Sequence, residues 1–93
     1  MEMGSISLII FRNRNCPKCR TLKPIFEKFL ENHPEIIGKV FEYEKDYEFF
    51  YYFNINIVPA FIVRQNGRNV LKYEGLIDYD TLEYIFKEKI KCI

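Results

Sequence analysis

Two cysteines, Cys16 and Cys19, are the residues of this sequence whose type and spacing most favour chemistry. They belong to the segment Cys16-Pro17-Lys18-Cys19, which follows an apolar run ending at Phe11 and opens a run with helical periodicity. If Cys16 is the N-cap of that helix, the unpaired backbone N–H groups and the helix dipole stabilise its thiolate. Cys19 then lies one turn along the same side of the helix, close enough to form a disulfide with Cys16. The spacing therefore predicts Cys16 as a nucleophile and Cys19 as the resolving thiol.

The residues around the cysteine pair favour an ionised thiol. Pro17 suits the first position of a helix, where a missing N–H leaves no hydrogen bond unmade. Between residues 12 and 23 there is no carboxylate, and the cations are Arg12, Arg14, Lys18, Arg20 and Lys23. Positive charge and a helix N-terminus both lower the pKa of a thiol. We therefore expect a lowered pKa at Cys16, with Pro17, Lys18 and Arg20 as active-site support.

Cysteine pairs at this spacing also occur in zinc sites and as buried small side chains. A closed zinc site needs four ligands, and the remaining candidates, His33 and Cys92, do not form a second closely spaced pair. Burial alone does not explain the flanking cations. We therefore predict no bound metal, and we expect Cys92 to be a free or buried thiol on the last helix.

Length and composition restrict the class of protein. The 93 residues are enough for one domain, residues 1–93, but not for two. A content of 48% hydrophobic and 17% aromatic residues supplies a core and argues against disorder. The net charge of +1 provides no field that would attract nucleic acid. No apolar run reaches the length of a membrane span and the first residues lack a signal-peptide pattern, so we expect a cytoplasmic monomer without membrane contact.

Hydrophobic periodicity predicts seven elements in the order β-α-β-α-β-β-α. Apolar and β-branched runs predict strands at 5–11, 36–43, 57–63 and 70–74, the last two joined by a hairpin at Asn66-Gly67. Helical spacing predicts helices at 17–32 and, from a cap at Asp80 with Glu83 three residues later, along the end of the chain. A parallel crossover followed by a hairpin implies an α/β fold, with a central mixed four-stranded sheet flanked by helices.

The stretch from Asp46 to Phe53 is dense in aromatic residues and predicts a short second helix. We expect its rings to pack this helix onto the sheet and its tyrosine hydroxyls to remain in water. The aromatic residues of the stretch are Tyr47, Phe49, Phe50, Tyr51, Tyr52 and Phe53.

Together these features resemble the thioredoxin-like superfamily over nearly the whole chain. Pro24 lies within the first helix at the same offset from the first cysteine as the family's kinking proline. Val58-Pro59 resembles the family's cis-proline loop, and Gly75 resembles its glycine at the substrate groove. The resemblance implies that Val58, Pro59 and Gly75 bind substrate. If the Val58–Pro59 bond is cis, the backbone of Val58 is exposed beside the sulfurs, where it can pair with an extended segment.

The sequence also departs from the thioredoxin pattern. Asn15 occupies the place of the tryptophan before the first cysteine, and Ile10 occupies that of the buried aspartate that assists proton transfer. Proton handling at Cys19 must therefore differ. The C-P-x-C form resembles glutaredoxins, although Lys18 replaces the usual tyrosine and only Gly75-Leu76-Ile77-Asp78 remains of their paired glycines and aspartate. The chain looks like a small thioredoxin with a glutaredoxin-like active site.

The resemblance implies a thiol–disulfide oxidoreductase that reduces or exchanges protein disulfides without a bound cofactor. A reductase or glutathione would then restore the Cys16–Cys19 dithiol. One alternative is a glutaredoxin that uses Arg12, Arg14 or Lys18 to hold the carboxylates of glutathione as co-substrate. The other is a binding module that has the fold without the turnover.

Overall fold

Four strands form one mixed sheet in the computed structural model of the chain, which describes residues 5–90. The strand order is β2-β1-β3-β4, with β1 parallel to β2 and the other neighbours antiparallel. The elements are β1 (Ile6–Arg12), α1 (Pro17–Asn32), β2 (Ile36–Glu42), α2 (Tyr43–Tyr52), β3 (Ala60–Gln65), β4 (Arg68–Glu74) and α3 (Tyr79–Tyr84), which continues as a π-helical turn (Ile85–Lys89). The predicted α/β fold and element order are confirmed.

The alternating side chains of β1 divide the core into two parts, because successive residues of a strand point to opposite faces of the sheet. Leu8 and Ile10 are buried in the cluster that includes residues of α1 and α3. Ile9 and Phe11 are buried in the cluster that includes Phe50 of α2. The central strand therefore holds helices on both faces, and its last residues lead directly to the cysteine segment.

The second helix begins at Tyr43 rather than at Asp46, where the sequence analysis placed its start. The carboxylate of Asp46 accepts the backbone N–H of Glu42 at 3.0 Å, which ties the first turn to the end of β2. Asp46 itself has non-helical backbone angles (φ −123°, ψ 30°), so the helix is kinked there. The Asp46–Glu42 hydrogen bond closes this first turn, and the aromatic pattern gave no sign of it.

The aromatic residues of α2 divide between core and surface. Phe50 is buried and Phe53 half-buried, with rings 5.1 and 5.5 Å from that of Phe11. Phe49 stacks on Phe41 of β2 at 4.3 Å. The phenylalanines thus pack α2 onto the sheet as predicted. The tyrosines contribute little to that packing, since Tyr47, Tyr51 and Tyr52 are exposed.

Further boundaries differ from the predictions. The bounds of β1, β2 and β4 differ from the predicted ones by one or two residues. The third strand begins at Ala60 instead of residue 57, and Pro59, which has no N–H to donate to a ladder, precedes it in a loop. The last helix is capped by Asp78, whose carboxylate accepts the N–H of Thr81 at 2.8 Å, so the predicted cap at Asp80 is wrong. Glu83 does not complete a capping box, because its carboxylate contacts His33 at 2.6 Å. The prediction for Cys92 lies outside the described residues.

The first helix matches its predicted bounds and runs through Pro24. His33 is its C-cap residue and donates its backbone N–H to the carbonyl of Leu30 at 3.3 Å. Within residues 5–90, none of the helices combines the length and the apolar character needed to cross a bilayer.

Candidate active site

Cys16 and Cys19 form a disulfide at the N-terminus of α1, with their Cα atoms 5.2 Å apart. Cys16 is the N-cap residue, in extended conformation, and its Sγ accepts the backbone N–H of Cys19 at 3.1 Å. Pro17 occupies the first helical turn, where its missing N–H has no intrahelical partner to lose. Both cysteines are largely buried, with 8% and 6% of their surface exposed. The local sequence therefore places one sulfur against the positive end of the helix.

Lys18 and Arg20 are exposed on the first turn of α1. The Arg20 guanidinium donates to the backbone carbonyl of Arg14 at 3.5 Å, which links the helix to the loop that precedes it. The structure thus places both supporting cations on the same turn as the disulfide.

Carboxylates that are distant in sequence approach the basic segment. Glu42, at the end of β2, lies 3.1 Å from the Arg12 guanidinium and 3.9 Å from that of Arg14. The Glu44 carboxylate accepts the backbone N–H of Arg14 at 3.1 Å, and Lys23 pairs with Glu27 at 3.7 Å. Segment 12–23 itself contains no carboxylate, but the fold brings Glu42 and Glu44 to it, because Arg12 and Arg14 lie against the end of β2 and the start of α2.

Sequence reasoning missed Glu42, although a signal for it was present. The strands β1 and β2 are parallel, and each is seven residues long. Each strand ends in a charged residue, so an in-register parallel pairing places Arg12 opposite Glu42, which is the observed register. The prediction required the pairing register, which local patterns do not provide.

The predicted substrate-binding residues lie together beside the disulfide. The Val58–Pro59 peptide bond is cis, the isomer that the sequence analysis predicted. Pro59 is buried and lines a cavity of about 70 Å³ together with Cys19. Gly75 donates its N–H to the carbonyl of Pro59 at 2.8 Å. Its φ of +102° favours glycine, and a Cβ added there would meet no atom within 4 Å. The structure therefore connects Pro59 to Cys19 through a shared cavity and to Gly75 through a hydrogen bond.

A second cavity, of about 420 Å³, lies on the other side of Val58. It is lined by Asn13 from the loop before α1, by Tyr43 and Tyr51 from α2, and by Val58. The Asn13 Oδ1 atom is buried and accepts no hydrogen bond from the part of the chain that the structure describes. The sequence analysis did not single out Asn13. The cavity therefore combines polar and apolar side chains next to the residue that precedes Pro59.

The structure separates the candidate zinc ligands that the sequence analysis weighed. His33 follows the last residue of α1, whereas Cys19 lies in its first turn. At 1.5 Å per residue these positions are roughly 20 Å apart, too far to share a metal ion. Among residues 5–90, His, Cys, Asp and Glu side chains do not gather in threes around a common point.

Comparison with known proteins identifies the family. The thioredoxin family model matches residues 2–88. Among solved structures, a thioredoxin from Fasciola hepatica has a TM-score of 0.84 at 20% identity, over 91% of this chain and 82% of that one. Thioredoxin f2 from Chlamydomonas reinhardtii has a TM-score of 0.83 at 17% identity, over 95% of this chain and 82% of that one. No curated protein matches the sequence. With the family model covering most of the sequence and a C-x-x-C pair at the start of α1, the chain belongs to the thioredoxin family.

Proposed function

We propose that this chain is a thiol–disulfide oxidoreductase of thioredoxin type that acts on disulfide-containing proteins. The observation that carries the proposal is the redox pair itself: Cys16 and Cys19 are disulfide-bonded at a helix N-terminus, and the Cys19 N–H points at Cys16 Sγ. The same N–H and the helix dipole favour negative charge on Cys16 once the disulfide is reduced. Cys16 is therefore the nucleophile and Cys19 the resolving thiol.

The reaction proceeds by two thiol–disulfide exchanges. The Cys16 thiolate attacks one sulfur of the substrate disulfide, forms a mixed disulfide and releases the other substrate sulfur as a thiolate. Cys19 then attacks Cys16; the Cys16–Cys19 bond forms, the mixed disulfide breaks, and the second substrate thiolate leaves. Two electrons pass from the protein dithiol to the substrate. A reductase or glutathione, in a reducing compartment such as the cytoplasm, returns the protein to the dithiol without a bound cofactor.

An extended polypeptide segment suits the surface beside the disulfide. Val58 precedes the cis-proline and lines the 420 Å³ cavity. Backbone pairing with Val58 would align the substrate. Gly75, hydrogen-bonded to Pro59, leaves the other flank free of a side chain.

The ion pairs favour a thioredoxin type over a glutaredoxin type. Arg12 and Arg14 were the candidates to hold the carboxylates of glutathione. Glu42 occupies both guanidinium groups at 3.1 and 3.9 Å, and would compete with such a ligand. Lys18, exposed on the first turn, is the remaining candidate among the three. Glutathione is therefore proposed as an electron donor, not as a tightly held co-substrate.

The first experiment equilibrates the protein with glutathione buffers and counts free thiols after alkylation. A Cys92→Ser background removes the third thiol of the sequence from the count. A redox potential of about −270 mV is expected for a disulfide reductant of thioredoxin type, and one of about −200 mV indicates a glutathione-coupled protein. A pair that interconverts in none of the buffers contradicts the proposal and favours the binding module.

Two matched variants assign the cysteine roles. Cys16→Ser is expected to abolish reduction of a protein disulfide, whereas Cys19→Ser keeps the first attack and accumulates a mixed disulfide, visible as added mass. Glutathione-linked turnover that survives Cys19→Ser would instead favour the glutaredoxin route. A substrate adduct on Cys19 in the Cys16→Ser variant, formed as fast as in the other variant, would reverse the assignment.

A further inference from the structure

The resolving step requires that Cys19 lose a proton. Ile10, on the sheet, occupies the place of the aspartate that assists this proton transfer in thioredoxins, so no base is present there. Only 6% of the Cys19 surface is exposed, so the thiol has little direct access to bulk water. Ile10 and Val40 are opposite each other on β1 and β2, and both line the 70 Å³ cavity behind Cys19. These side chains are apolar, so they cannot accept the proton. A thiol attacks a disulfide as its thiolate, and the proton must therefore leave by another path.

An ion pair lies two residues further along the same strands. Arg12 and Glu42 are opposite each other in the parallel register, and their side chains are 3.1 Å apart. Since residues i and i+2 of a strand share a face, this pair lies on the same face as Ile10 and Val40. The ion pair is therefore next to the apolar pair, at the end of the strands where α1 begins.

Cys19 and Glu42 line the same cavity. This cavity measures about 200 Å³, and its walls also include the guanidinium-bearing residues Arg12, Arg14 and Arg20. Its volume is sufficient for several water molecules, and its walls supply the polar partners that such water needs. A proton can therefore pass between Cys19 and Glu42 across water without entering the apolar core.

Glu42 is the carboxylate best placed to take that proton. Its side chain is 20% exposed, and Arg12 and Arg14 hold it in position. Glu27 lines the cavity behind Cys19, but its side chain is 62% exposed and is paired with Lys23. Besides Cys16, the titratable or charged groups around Cys19 and Glu42 are Arg12, Arg14, Arg20, Lys23, Glu27, Glu44 and Asp46.

We propose that Glu42, oriented by Arg12, accepts the proton of the Cys19 thiol during the resolving step. The proton passes from Cys19 to the Glu42 carboxylate across water in the shared cavity. The Cys19 thiolate then forms the bond to Cys16, and the Cys16–substrate bond breaks. Glu42 then releases this proton to the departing substrate thiolate or to solvent, which returns the carboxylate to its ionised form. This inference rests on the proposed function, since it assigns a residue to the second of the two exchanges.

The test separates the two exchanges by mixing the reduced protein with a chromogenic aromatic disulfide, the bis(nitrobenzoate) disulfide. In a Cys92→Ser background, one coloured thiolate is released when Cys16 attacks and a second when Cys19 resolves the adduct. In Glu42→Gln, the rate of the first phase is expected to stay within about twofold of the wild-type rate. The rate of the second phase is expected to fall about 10- to 100-fold near neutral pH. Glu27→Gln and Glu44→Gln are the matched controls and should leave the second phase unchanged.

The pH profile distinguishes proton transfer from a merely structural role. As the pH rises above the ordinary thiol pKa of about 8.5, hydroxide that reaches the shared cavity can replace Glu42 as the proton acceptor, so the deficit of Glu42→Gln should shrink. A deficit that is equal at every pH overturns the inference. A second phase that is unchanged or faster also overturns it, because loss of a neighbouring negative charge alone favours the thiolate. Glu42→Asp, which keeps a carboxylate, should retain the wild-type pH profile and provides the test if the glutamine variant does not fold.

A failure of the proposed function would look different from a failure of this inference. If the wild-type protein releases no second thiolate, Cys19 does not resolve the adduct, and the proposed two-thiol function is itself wrong. If the wild type shows both phases and Glu42→Gln follows the same pH profile, only the role of Glu42 is wrong.

Discussion

The two ends of α1 contain similar interactions with different consequences. At its N-terminus, the site end, the Arg12–Glu42 pair and the disulfide adjoin cavities of about 70 and 200 Å³. At its C-terminus, the far end, His33 contacts Glu83 at 2.6 Å and Phe29 packs against Phe86 at 4.9 Å. Sixteen helical residues separate these ends by about 24 Å. A carboxylate contact beside open volume and a reactive sulfur can support chemistry, whereas one between packed helices supports the fold.

The largest expected effect tests whether the far end serves stability alone. Phe29 is fully buried, and Phe29→Ala should lower the free energy of unfolding by about 3–5 kcal/mol, because it leaves a cavity between α1 and the last helix. The rate at which Cys16 of the folded, reduced protein reacts with a disulfide should not change. Urea unfolding and stopped-flow thiol kinetics measure the two quantities.

Leu22→Ala provides the contrast at the site end. Leu22 is buried in the same cluster as Phe29, but it also lines the small cavity that Cys19 shares. We expect Leu22→Ala to lower the free energy of unfolding by about 2–5 kcal/mol and also to change the rate of the resolving step. If both variants change the cysteine kinetics equally, the two ends of α1 are coupled and the division between them fails.

The next effect compares two glycines, one at each end of β4. Gly75 has φ +102° and donates its N–H to Pro59, whereas Gly67 has φ +80° in the β3–β4 hairpin, whose Asn66 bonds to Ser5. Each Gly→Ala substitution should cost about 1–2 kcal/mol, since L-residues disfavour such backbone angles. The KM for a protein disulfide should rise for Gly75→Ala and stay constant for Gly67→Ala. An equal KM in both variants would remove Gly75 from the proposed substrate surface.

How far the sequence predicts each end depends on the range of the interactions there. The helix that begins at Pro17 was predicted with its bounds, because the cap, the proline and the apolar periodicity all lie within the segment itself. Glu42 was missed, because its role depends on a strand register that joins residues 30 positions apart. The site end therefore combines a locally encoded helix start with a carboxylate supplied by topology.

The far end shows a different kind of ambiguity. Asp78 and Asp80 both precede a polar residue by three positions, so the local pattern permits either as the N-cap. Two tertiary contacts favour Asp78 as the N-cap: Tyr79 packs on Phe29 at 6.1 Å, and the Glu83 carboxylate contacts His33. Neither contact is visible in the sequence around the cap. A local signal that fits two registers is resolved only by the side chains that pack around it.

The smallest expected effect concerns the His33–Glu83 contact at the far end. The hydrogen bond from His33 holds the pKa of Glu83 below its usual value of 4.5. Because the carboxylate is more acidic in the folded state, its contribution to stability is present above about pH 4.5 and is lost as the pH falls through the lowered value. Glu83→Gln should therefore be less stable than the wild type near pH 5, by no more than about 1 kcal/mol, and the difference should shrink towards pH 3.

Urea unfolding of both proteins at several values of pH between about 3 and 6 measures this difference. Glu35→Gln is the matched control, because Glu35 lies 3.7 Å from the other ring nitrogen of His33 with 54% of its side chain exposed. Glu35→Gln should change the pH dependence of the free energy of unfolding by less than Glu83→Gln does, since water screens the more exposed contact. A Glu83→Gln difference that is constant with pH would mean that Glu83 acts through packing against α1. The thiol kinetics should be identical in all three proteins, because this pair adjoins neither the disulfide nor the cavities that Cys19 lines.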